Sequence, residues 1–166
     1  IAYNQSLSGT ESINGDWTEV GPRMKPVNGT GQPNGNGRLN NIAFHPTNPS
    51  ILWVGSASGG LWKTTNAGQT WDSNTDDLPS LRVSSILIDP TNTNIMYIGT
   101  GDRDGGNAPG LGVYKSVDGG ASWFVSNTGM GNNTVGQMLM HPSNPSYILA
   151  ATSGGVYRSL NGGGSW

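Results

Sequence analysis

The chain of 166 residues contains 27 glycines, 10 prolines and no cysteine, and only 11% of its residues are charged. A net charge of −2 gives no basic footprint for nucleic acid, no apolar run is long enough for a membrane-spanning helix, and the lack of cysteine excludes disulfides and thiolate metal sites. Scarce charge with dense Gly, Asn, Ser and Thr points to an all-β, turn-rich protein.

In chain order, residues 1–15 read as an N-terminal extension. Ile1 in place of Met leaves a removed leader or an internal start open. Residues 16–37 hold an outer strand, DWTEV, and a linker. Three similar units follow, at 38–81, 82–133 and 134–166. Each has an apolar stretch ending in His45-Pro, Asp89-Pro or His141-Pro, then a PTNPS-like turn and a second apolar run. A dozen-residue motif closes the unit: GLWKTTNAGQTW, GVYKSVDGGASW or GVYRSLNGGGSW. The turn anchors at 45, 89 and 141 and the closing tryptophans at 71, 123 and 166 set a period of 43 to 52 residues. Several short strands at that period predict β-propeller blades of four antiparallel strands, A to D. Strand C is expected at Leu61–Thr64, Val113–Ser116 and Val156–Ser159, and strand D begins at each tryptophan. The chain then makes a partial propeller of about three blades, the third reaching Trp166 where its strand D is due. Further blades, or another chain, are expected to cover the open flanks.

The closing motif resembles the Asp-box of bacterial-neuraminidase-type repeats. Its positions here are Thr64, Asn66, Gly68 and Trp71; Ser116, Asp118, Gly120 and Trp123; and Ser159, Asn161, Gly163 and Trp166. Asn66 and Asn161 replace the aspartate, keeping a side-chain oxygen that accepts turn N–H groups. All twelve residues read as structural, and Trp71 and Trp123 are expected to be largely buried. DWTEVGP, the stretch 34–71, LPSLRVSSILIDPTN and IGTGDRDGG resemble large secreted Bacteroidetes propellers exported by type IX secretion. That resemblance implies a bacterial protein, secreted or at the cell surface, with the secretion machinery among its partners. It also implies a non-catalytic module that binds glycan or protein through its B–C and D–A loops. Sortilin-type and xyloglucan-cleaving propellers share the architecture, and the latter supply the alternative of a glycoside hydrolase.

The B–C loop of the second unit is about eight residues longer than its counterparts and carries Asp102, Arg103, Asp104 and Asn107. Three readings stay open. The spacing D-x-D-x-x-N offers Asp102 and Asp104 as hard oxygen ligands for calcium; the two aspartates could be the paired carboxylates of a glycosidase; or the loop is a solvated turn. No other cofactor is implied. Arg38 and Arg82 stand seven residues before their turn anchors, near the channel mouth, as candidates for binding an anion or loop carbonyls. His45 and His141 share their position with Asp89, which points to turn hydrogen bonding and away from metal or general-base roles.

Overall fold

A computed structural model describes residues 37–73, 75–102 and 109–166. The strand DWTEV, the N-terminal extension, and Arg103, Asp104 and Asn107 of the inserted loop lie outside these residues. The described residues form eleven strands and no helix. The first blade is β1 (Leu39–Phe44), β2 (Leu52–Ser56), β3 (Leu61–Thr64) and β4 (Asp72–Ser73). The second is β5 (Val83–Ile88), β6 (Met96–Thr100), β7 (Val113–Ser116) and β8 (Phe124–Val125). The third is β9 (Val135–His141), β10 (Asn144–Thr152) and β11 (Gly155–Ser159). Every pairing is antiparallel and follows chain order, so each blade is a meander. Strand C falls at the expected residues in the first two blades, whereas strand D starts one residue after the tryptophan.

The turns follow from side chains that mimic backbone. His45 Nδ1 accepts the N–H groups of Thr47 and Asn48, both at 3.2 Å. Asp89 Oδ1 accepts those of Thr91 at 2.8 Å and Asn92 at 3.2 Å, and His141 Nδ1 accepts that of Ser143 at 3.3 Å. The two histidines are therefore turn acceptors, as their equivalence with Asp89 required. The box turns are equally uniform. Thr64, Ser116 and Ser159 accept the N–H of Gly68, Gly120 and Gly163 at 2.8–3.0 Å. Asn66, Asp118 and Asn161 each accept the N–H four residues on, at 2.9 Å. Gly68, Gly120 and Gly163 sit at φ of 88°, 85° and 82°, a region that a Cβ disfavours.

Two apolar interfaces hold the three blades side by side. Between the first and second, Trp53 and Leu61 meet Ile86, Met96, Ile98 and Tyr114. Between the second and third, Tyr97 and Val113 meet Val135, Met138, Ile148 and Ala150. Trp71 and Trp123 are largely covered yet keep part of their surface exposed, and Trp166 does the same. Trp123 and Trp166 stand where the C–D turn leaves the sheet, so part of each indole covers an interface while the rest meets solvent. Trp123 packs on the first interface and Trp166 on the second, with Trp166 Nε1 donating to Ser126 O at 2.7 Å.

Candidate functional site at the channel mouth

The strands that gather toward the propeller axis are β1, β5 and β9, which contact one another in series. All three carry the same irregularity. The register skips Asn40 between Leu39 and Asn41, Ser84 between Val83 and Ser85, and Gly136 between Val135 and Gln137. A β-bulge of this kind bends its strand and turns the extra residue out of the pleat. The bulged side chains reach the neighbouring blade: Asn40 Nδ2 donates to Val83 O at 3.4 Å. Ser84 Oγ lies 2.5 Å from Val135 O and 2.9 Å from Gly99 O. Its single proton is shared between two carbonyls.

Beside these bulges lies an open polar cleft of about 330 Å³, lined by Arg38, Asn40, Asn41, Ser84, Asp102 and Gln137, with Leu39 and the Gly136 backbone. Every blade contributes to it. It lies at the end of the sheets opposite the box turns, because strands run into the box at one end and leave the B–C loop at the other. Arg38 Nη2 is ion-paired with Asp102 Oδ2, and the Asp102 side chain is only 7% exposed. That contact ties the first blade to the root of the inserted loop. Gly101 N–H donates to Arg82 O at 3.0 Å, and Gly110 N–H donates to Thr134 Oγ1 at 3.0 Å, so the same loop is anchored on the third blade too.

Of the residues singled out from sequence, Arg38 and Asp102 meet at the cleft, whereas Arg82 is half-buried and contributes its backbone to the loop root. Among the described residues, Asp102 is the one carboxylate that lines the cleft. Among the described residues no three His, Asp or Glu side chains form a metal-binding group. Asn40, Asn41, Ser84, Gly136 and Gln137 were not singled out from sequence. Their signal was present: in each inner strand the apolar alternation breaks at the same offset, with Asn40-Asn41, Ser84-Ser85 and Gly136-Gln137.

No protein-family profile matches the chain. A Neosartorya fischeri protein described as a probable oligoxyloglucan-reducing end-specific xyloglucanase is 29% identical over 87 residues, which is 49% of this chain and 10% of that protein. An ancestral GH74 enzyme superposes with a TM-score of 0.67 and 27% identity over 78% of this chain and 18% of the enzyme. The YCF48 structure with bound D1 peptide superposes with a TM-score of 0.56 and 19% identity, covering 77% of this chain and 38% of its own, a likeness of fold alone. The chain thus spans a small part of the proteins it matches, and its fold is that of a partial β-propeller with relatives among xyloglucanase propellers.

Proposed function

We propose that the chain belongs to a secreted or cell-surface bacterial propeller that binds a glycan, without cleaving it, through the channel-mouth cleft. The observation that carries this reading is the cleft's lining: amides and a hydroxyl from three blades, with the one carboxylate among the described lining residues ion-paired to Arg38. The amides satisfy neutral sugar hydroxyls in either direction, and Ser84, its proton held by carbonyls, accepts from them. Glycoside hydrolysis calls for two carboxyl groups about 5 to 9.5 Å apart across the bond. The similarity to xyloglucanases supports a plant-type β-glucan as the first ligand to try. Titrating xyloglucan oligosaccharides into the protein, alongside a reducing-end release assay, tests it. The expected result is binding without release, weakened about tenfold, or 1.4 kcal/mol, by Gln137→Ala or Asn41→Ala.

The alternative is a glycoside hydrolase, favoured by the same similarity. Release of reducing ends that Asp102→Asn abolishes would establish it. Export by type IX secretion remains part of the proposal, and accumulation of the native protein in culture medium, lost on disabling that pathway, is its test. A protein ligand in place of a glycan would show as binding to surface extracts that glycosidase treatment leaves unchanged.

A further inference from the structure

One backbone contact at the channel mouth occurs three times. Ala57 N–H donates to Arg38 O at 3.1 Å, Gly101 N–H to Arg82 O at 3.0 Å, and Ser153 N–H to Thr134 O at 2.8 Å. These bonds fix the equivalence of Arg38, Arg82 and Thr134, each just before an inner strand. They also align the loop residues that follow, Ser58, Asp102 and Gly154. The ion pair between Arg38 and Asp102 crosses from the first blade to the second. The same step from Arg82 leads to position 154 of the third blade, which is glycine.

No carboxylate can take root at that position beside its present neighbours. A Cβ on Gly154 would meet the Asn133 amide, with Oδ1 at 2.8 Å and Nδ2 at 2.9 Å. That amide is neutral and held by other bonds: Nδ2 donates to Met130 O at 2.8 Å, and Oδ1 accepts from Ser153 Oγ at 3.3 Å. Asp102, on Arg82's own blade, is ion-paired with Arg38. Among the described residues, no hydrogen bond or ion pair engages the Arg82 guanidinium, although the residue is half-buried. The described mouth thus sets two guanidinium groups against one carboxylate. A planar guanidinium partly withdrawn from water is best matched by a carboxylate, through a fork of two parallel hydrogen bonds.

We propose that Arg82 is a subsite for a ligand carboxylate, which takes between the second and third blades the place that Asp102 takes between the first and second. Resting on the glycan reading of the cleft, this assignment makes the bound glycan one that carries a uronic acid. Arg82 stands two residues before Ser84 of the cleft lining, about 7 Å along an extended strand. A uronate beside a neutral sugar can therefore meet Arg82 while its neighbour meets the amides.

Nuclear magnetic resonance of the isotope-labelled chain tests the subsite directly. The Arg82 side-chain N–H signal, assigned by its loss in Arg82→Gln, is expected to move on adding D-glucuronate and to stay still with D-glucose. No shift with glucuronate, an equal shift with glucose, or tighter binding of inorganic phosphate than of glucuronate overturns the proposal. Calorimetry then compares cellotetraose with tetrasaccharides in which each ring in turn is replaced by glucuronate. One of these is expected to bind at least tenfold tighter than cellotetraose, a preference lost in Arg82→Gln and partly kept in Arg82→Lys. Circular dichroism confirms that each variant retains its sheets. Equal affinity for all the tetrasaccharides, or a preference that survives Arg82→Gln, overturns the proposal. A glucuronate shift at Arg82 without binding of any tetrasaccharide supports the carboxylate subsite and overturns the glycan reading instead.

Discussion

The Tyr97 hydroxyl donates to the carbonyl oxygen of Gly162 at 2.9 Å, so the second blade holds the third through the tip of a box turn. Lys115 Nζ donates to the same oxygen at 2.8 Å while lying 5.3 Å above the Tyr97 ring. Burial, with a smaller contribution from Asp89, pushes the Tyr97 pKa up to about 12. Burial in turn lowers that of Lys115, against the opposing pull of Asp89. Tyr97→Phe should lower stability by about 1 kcal/mol, the worth of one neutral hydrogen bond, because Lys115 keeps the carbonyl satisfied. Urea denaturation checks the value.

The same tyrosine predicts a pH signature. Its folded pKa is raised, so its contribution is fully present below the unfolded value of 10 and is lost as pH rises toward 12. The wild type should lose stability through that window more steeply than Tyr97→Phe. Lys115 opposes this, since its folded pKa is lowered. Comparing the two proteins isolates the tyrosine, and parallel pH profiles would count against it.

Asp118 is held down at about 2, first by the Ser122 hydroxyl, then by the Ser122 backbone N–H and the Ser116 hydroxyl. A depressed carboxylate contributes above its unfolded pKa of 3.8 and loses that contribution as pH falls through 2. Asp118→Asn should be tolerated at neutral pH and should flatten the acid limb between those values. Asn66 and Asn161 explain why: each makes the same turn, with the amide donating to Thr70 or Ser165 where Asp118 accepts from Ser122. Asp118→Ala should lower the Tm at neutral pH. Thermal melts at a series of pH values decide.

Gly99→Ala should lower stability by about 1–3 kcal/mol, the usual range for overpacking a filled contact. The added Cβ would meet Val135 at 2.6 Å. Combining it with Val135→Ala should recover part of the loss, which a double-mutant cycle in denaturant would reveal.

Arg38→Ala removes the cation paired with the buried Asp102 and should lower stability by about 1–3 kcal/mol. With that pair intact, millimolar calcium and chelator are both expected to leave the wild-type Tm unmoved. A calcium-dependent rise would instead favour the cation site read at Asp102 and Asp104. Differential scanning fluorimetry checks both statements.

The architecture was legible because the turns are written in side-chain chemistry. A Ser or Thr, an Asn or Asp, and a glycine at φ near 85° specify the same hydrogen bonds each time. His45 and His141 were legible for the same reason. The part of each box tryptophan left exposed was harder to read, since local pattern places an indole at a turn without saying how far the neighbouring blade extends over it. The cleft was largely hidden. Its residues are polar positions in inner strands, marked in the sequence only by a shared break in the apolar alternation, a weaker signal than a long acidic loop. What makes them converge is the bulge, a two-for-one pairing that arises only once β1 lies against β2, β5 against β6 and β9 against β10.

The bulged Ser84 has a consequence for how any guest must enter. Its one proton is committed to carbonyls on both sides of a seam between blades, so only its lone pairs face a newcomer without competition. A ligand that gives a proton to Ser84 leaves the seam intact; one that takes the proton must pry Val135 away first. Selectivity at the mouth is thereby tied to the mechanical rigidity of the arc. At Ser84 a proton-giving guest keeps both carbonyl contacts that join the wedges, while proton-accepting guests must turn to the amides of Asn40, Asn41 and Gln137.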